Sequence, residues 1–208
     1  MGSQGADPEG LADRISTLYV KSHGFGGGDF VPAGCYRDPE ILNPAVVREE
    51  LELEVGDDEP LINFTLTRAP KIFLAIICRN WPADQTRRFM QHFMQSEFVD
   101  EKLPVSLDFC HADPAFGLKG WKLGLKRNFC TAQWDHLAPV FSEKNFIFRL
   151  EQNQPLPFLK PDAGVQKAPQ GASSVVHQVK VHPDHLEDPP LDVSLMKDPP
   201  SAGLILTI

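Results

Sequence analysis

His177, His182 and His185 lie close together near the C-terminal end of the chain, with Asp184 and Asp188 beside them. Imidazole nitrogens and carboxylate oxygens are ligands that zinc takes in tetrahedral sites, provided the side chains converge. On a β-strand, residues two apart share a face. His182 stands at an odd offset from His177 and so points the other way. The expectation is a loop with surface histidines, and a zinc site is the alternative. Cys110 and His111 are adjacent, and their side chains diverge. Nucleophilic catalysis needs a Ser or Cys that meets a His and an orienting acid. Ser173 and Ser174 precede His177, but no Gly-x-Ser-x-Gly elbow is present. The acid pairs Glu49-Glu50 and Asp57-Asp58 sit where solvated charge is the default. The four cysteines, Cys35, Cys78, Cys110 and Cys130, include no CxxC pair, so reduced and mostly buried thiols are expected. No catalytic residue and no resident metal are assigned.

These residues need a scaffold. The chain has 208 residues with 20 basic and 28 acidic side chains, a net charge of −8. Its 42% hydrophobic and 23% charged fractions exclude collagen, coiled-coil and fully disordered readings. An acidic balance without a Lys/Arg cluster argues against a nucleic-acid partner. The first ten residues lack a basic, apolar secretory signal. Ala6 stands where myristoylation of Gly2 wants Ser or Thr. The longest apolar run, residues 72–78, is too short to span a bilayer. An intracellular protein without a membrane partner is expected, with cytoplasm and nucleus undistinguished.

Apolar spacing predicts a helix over 11–22, ended by the glycine-rich loop of residues 23–28. Asp38-Pro39-Glu40 reads as an N-cap, a first-turn proline and an acid, so a helix over 40–54 follows. Residues 56–60 read as a turn. Residues 69–80, with Pro70 in the first turn, form a helix apolar almost all round, the expected core centre. Trp134 and Phe141 are expected to pack near it. Asp84 can cap a helix over 85–96, with Phe89, Phe93 and Met94 on one face and Met90 beside them. Residues 98–104 form a connector and 113–124 a loop around Trp121. A helix follows over 128–137, then a strand over 146–150.

Composition shifts near residue 160 to Pro, Gly, Ala and Gln. Residues 175–181 make the clearest strand. A Pro-rich stretch follows Glu187, and the apolar residues 203–208 have no partner segment after them. The predicted fold class is α+β: a mainly α-helical domain with a few C-terminal β-strands and an incomplete kinase-like N-lobe segment. The expected division is a disordered 1–7, a helical domain over 8–158, a linker over 159–170 and truncated kinase-like strands with a Pro-rich tail over 171–208.

A protein-kinase Gly-rich loop runs G-x-G-x-x-G-x-V. With Val176 at the Val, its glycine positions fall on Pro169, Gly171 and Ser174, so one of three is Gly. The stretch Gly171-Ala-Ser-Ser-Val-Val-His-Gln-Val-Lys-Val-His-Pro-Asp-His185 resembles the start of the kinase domain in a group of filamentous-fungal protein-kinase-like proteins. There the strand runs into a Lys-hydrophobic-His-Pro-x-His turn. Upstream, Phe30-Val-Pro-Ala-Gly34, residues 69–77, residues 98–104, Ala132-Gln-Trp-Asp-His-Leu-Ala-Pro-Val-Phe141 and Leu156-Pro-Phe158 are similar to that group and keep its order. The resemblance covers roughly residues 30–185.

It implies that residues up to about 160 are the helical region preceding a kinase domain, and that the rest opens an N-lobe. Nucleotide contacts would then fall on Gly171, Ser174, Val176 and Lys197, with ATP as the ligand. Lys197 shares an ambiguous register with Met196. No His-Arg-Asp or Asp-Phe-Gly segment is present, so the chain lacks the catalytic base and the magnesium-binding Asp of a kinase. The expected function is a non-catalytic regulatory or interaction module, whose partner is a protein or the remainder of a kinase domain. One alternative is a truncated serine/threonine kinase fragment with a vestigial ATP-binding loop. Another is a small metal-binding protein using His177, His182 and His185.

Overall fold

The computed structural model describes residues 10–23, 28–56, 58–142, 150–160, 177–187 and 203–206; for 177–179 and 203–206 it describes the backbone alone. Helices dominate, with a few short antiparallel strands, so the α+β, mainly α class holds.

The central element is α4, Pro70–Ile77, in which Ile72 through Ile77 are all buried. Pro70 supplies a pre-set φ at the first turn, where a missing N–H costs nothing. Ala69 in the N-cap position has no side chain to offer the free N–H groups. Asp100 fills that role from a distance, its carboxylate accepting from Lys71 N at 2.9 Å and Ile72 N at 3.0 Å. Before it runs α3, Glu59–Thr67, which meets α4 at 96°. No helix was expected there. Pro60, read as part of a turn, opens α3, which buries Leu61, Ile62, Phe64 and Thr65.

The helix expected over 40–54 is shorter, and α2 spans Pro44–Glu50. Two Asx-Pro signals compete here. Asp38 closes one turn, with its carboxylate on Glu40 N at 2.8 Å. Asn43 caps α2, its Oδ1 accepting from Ala45 N at 2.9 Å and Val46 N at 3.1 Å, with Pro44 at the first position. Glu52 then adopts φ 48°, a left-handed residue just past the helix end. The N-terminal helix is also shorter than expected. α1 spans Leu11–Leu18, and Val20–Lys21 leave it as β1, paired antiparallel with β2, Asp29–Phe30.

α5, Ala83–Gln95, matches its expected span. Pro82, not Asp84, holds the N-cap position; Met90 is fully buried with Phe89 and Phe93, and Met94 packs against the same core. Beyond it Ser106 caps α6, Leu107–Ala112, by accepting from Phe109 N at 3.1 Å; this helix was not expected. The stretch read as a loop around Trp121 has no regular structure over 117–122, and Trp121 itself is buried in the core. Trp121 stacks on Phe89 at 4.3 Å between centroids and meets Phe116 at 5.1 Å. α7 covers Leu123–Ala132 and tightens into a 3₁₀ turn, Gln133–His136. The expected helix over 128–137 therefore started too late.

β3, Phe158–Leu159, pairs antiparallel with β4, His177–Val181, which pairs on its other side with β5, Gly203–Leu206. The register sets Phe158 opposite Val181 and Val179 opposite Leu204. Residues 203–206, which have no segment after them to pair with, pair with the preceding strand β4. Phe141 does not reach α4. It belongs to a second cluster with Leu156, Phe158 and Val181. The strand expected at 146–150, most of the linker and the glycine-rich loop at 24–27 lie outside the described residues.

Candidate functional site

Four separated segments meet at one junction, three of them at a single imidazole. Val31-Pro32-Ala33 leads into a 3₁₀ turn, Ala33–Tyr36, whose first N–H has no partner inside the turn. Leu137 through Phe141 leave α7 with Pro139, which offers a carbonyl but no N–H. Leu156-Pro157-Phe158 precedes and enters β3. Behind β4 comes a short 3₁₀ turn, Pro183–His185.

His185 is 1% exposed and ties three of these segments together. Its Nε2 accepts from Ala33 N at 3.1 Å, and its Nδ1 faces the Pro139 carbonyl oxygen at 2.9 Å. An amide can only donate and a carbonyl can only accept. Both bonds together therefore fix the neutral Nδ1–H tautomer. Burial lowers its pKa to about 4, because an imidazolium there would be desolvated and would lose the Ala33 bond.

Backbone bonds close the junction. Phe141 N donates to His185 O at 2.8 Å, Glu187 N to Phe141 O at 2.9 Å and His182 N to Pro157 O at 2.8 Å. The Phe30 ring meets His185 edge-on at 5.1 Å and His182 at 5.9 Å. Gly34 allows the close approach of the turn: a Cβ there would meet Asp184 Cγ at 2.9 Å. The fourth segment is held by Ser22, whose hydroxyl donates to Leu156 O at 2.6 Å.

A second polar group lies in the same region. Val31 N donates to Asp135 O at 2.8 Å, and the Asp135 carboxylate accepts from the Tyr19 hydroxyl at 3.3 Å and pairs with Arg79 at 3.5 Å. The next residue, His136, sits with Nδ1 2.9 Å from the Tyr36 hydroxyl, while its Nε2 is buried without a partner. Burial lowers the His136 pKa to about 3 and raises the hydroxyls of Tyr19 and Tyr36. Two surface clefts of about 240 and 260 Å³ lie along α5.

The proposed nucleotide contacts, Gly171, Ser174, Val176 and Lys197, lie outside the described residues. Of the histidine trio, His177 is described by its backbone in β4. His182 and His185 stand perpendicular, 5.9 Å between centroids, and both ring nitrogens of His185 are engaged by backbone groups. His182 caps the 3₁₀ turn, its Nδ1 accepting from Asp184 N at 3.3 Å. Among the described residues, no group of three or more His, Cys, Asp or Glu is placed to hold a metal ion. Sequence reasoning missed Ala33 and Pro139 because they contribute backbone atoms, which leave no side-chain signature. No single helix among the described residues is long and apolar enough to cross a membrane.

No family model, curated protein or solved structure matches the chain.

Proposed function

We propose that the chain is a non-catalytic regulatory or interaction module in which the helical body grips the strand segment after residue 176 and fixes its position. The observation that carries this reading is the His185 imidazole, buried and bonded through both nitrogens to two remote backbone groups. Such a fastener serves positioning, since a histidine locked in this way has no nitrogen left for acid–base work. The resemblance to the region preceding a fungal kinase domain supplies the partner class: a protein, or the remainder of a kinase-like domain whose first strand is held here. β3 and β5 are the outer strands of the small sheet, so further pairing would take place along them.

The test is calorimetric titration of the full chain with ATP and magnesium, together with an assay for phosphoryl transfer to a generic protein substrate. The module reading expects no turnover and no heat of nucleotide binding. Turnover by the pure chain overturns it. Micromolar binding abolished by Gly171→Asp would instead assign a nucleotide-sensing role, with Lys197 the next position to substitute.

A further inference from the structure

Of the four cysteines, two face each other. Cys110 in α6 and Cys130 in α7 have their sulfur atoms 3.5 Å apart. We propose that Cys110 and Cys130 form an oxidisable dithiol, closed to a disulfide by hydrogen peroxide and reopened by a thiol reductant. A disulfide has its sulfurs about 2 Å apart, so closure needs a movement of about 1.5 Å, within reach of side-chain rotation and a small helix shift.

The two sulfurs are not equivalent. Cys110 is fully buried, whereas Cys130 is half-buried and reachable by a small oxidant. The hydrogen bond between the two thiols lowers the pKa of Cys130 and raises that of Cys110. A buried ammonium, Lys126, is anchored on the Cys110 carbonyl oxygen at 2.6 Å, and its charge favours ionisation of Cys110, the thiol that must lose its proton in the second step. Thiolates are the reactive form and neighbouring cations favour them. Burial raises Cys35 and Cys78 to about 11, so these two are the less reactive thiols.

The Cys130 thiolate attacks one peroxide oxygen. An S–O bond forms, the O–O bond breaks, and the departing hydroxide takes a proton to become water. Cys110 then loses its proton and attacks the Cys130 sulfur. The S–S bond forms, the S–O bond breaks, and a second water leaves. Two thiols lose two electrons in total, and one peroxide gains them. The product staples α6 to α7, alongside the existing clamp in which the Gln133 amide bonds both backbone groups of Val105 at 2.8 and 2.7 Å.

The experiment treats the reduced full chain with hydrogen peroxide, then applies alkylation, intact-mass measurement and peptide mapping. The expected result is a loss of about 2 Da, one Cys110–Cys130 cross-linked peptide, Cys35 and Cys78 still alkylated, and full reversal by dithiothreitol. In Cys110→Ser, Cys130 should stop at the sulfenic acid and be trapped by dimedone. If that variant does not fold, Cys130→Ser must leave Cys110 unoxidised by the same peroxide. Retention of all four free thiols, a cross-link to Cys35 or Cys78, or Cys130 sulfinic acid beside a free Cys110 would overturn the proposal.

Discussion

His185 and Pro139 are joined by a buried hydrogen bond, imidazole Nδ1–H to carbonyl oxygen at 2.9 Å, across 46 positions of sequence. Replacing the ring by His185→Ala removes this bond and the one from Ala33 N. Each backbone group left buried without a partner costs about 1–3 kcal/mol. The substitution is expected to lower unfolding free energy by about 3 kcal/mol in urea denaturation. A loss within about 0.5 kcal/mol, the range of ordinary surface substitutions, would show that the junction holds nothing.

The same histidine makes stability depend on pH. In the unfolded chain histidine titrates near ~6.5. Burial lowers His185 to about 4 and His136 to about 3. Below pH ~6.5 the unfolded chain takes up protons that the folded chain refuses, so this stability is present above that pH and is lost on acidification. Asp100 acts in the opposite sense. Burial raises its carboxyl to about 6, so its contribution grows as the pH falls through that value, and Asp135 is raised as well. The wild-type profile is therefore a shallow sum. The difference between wild type and His185→Ala isolates one group: its size should shrink by about 3 kcal/mol between pH 7 and pH 4. A penalty that stays constant with pH would rule out the neutral, buried tautomer.

Asp100 is the cap of α4 although it lies almost thirty residues away in sequence. Asp100→Ala leaves the N–H groups of Lys71 and Ile72 without an acceptor and should cost about 2 kcal/mol. Asp100→Asn keeps one acceptor oxygen and should cost about half as much. Thermal unfolding at pH 7 checks both. An alanine variant as stable as wild type would mean that Pro70 alone starts the helix.

What the sequence made legible was local. Residues 69–80 announce α4 because a proline precedes an uninterrupted apolar run, and α5 follows from Phe89 and Phe93 on one face. α2 was misplaced because Asp38-Pro39 and Asn43-Pro44 carry the same signal, and only the backbone decides which Asx side chain meets a helical N–H. α3 was passed over because Glu59-Pro60 reads equally as a turn end and as a helix start. The junction was not legible. A strand-alternation argument does not apply to His185, which stands in a 3₁₀ turn, and its partners are backbone groups of Ala33 and Pro139, 152 and 46 positions away. Phe141 was assigned to the wrong core for the same reason, since its neighbours Leu156, Phe158 and Val181 come together only in the fold.

The most direct test is amide hydrogen exchange on the full chain and on His185→Ala. In the wild type, the amides of Ala33, Phe141, His182 and Glu187, which bond across the junction, should be protected. In the variant these four should lose protection together, while Phe73 and Cys78 at the two ends of α4 keep theirs. Unprotected junction amides in the wild type, or unchanged protection in the variant, would contradict the claim that the helical body grips the strand segment through His185.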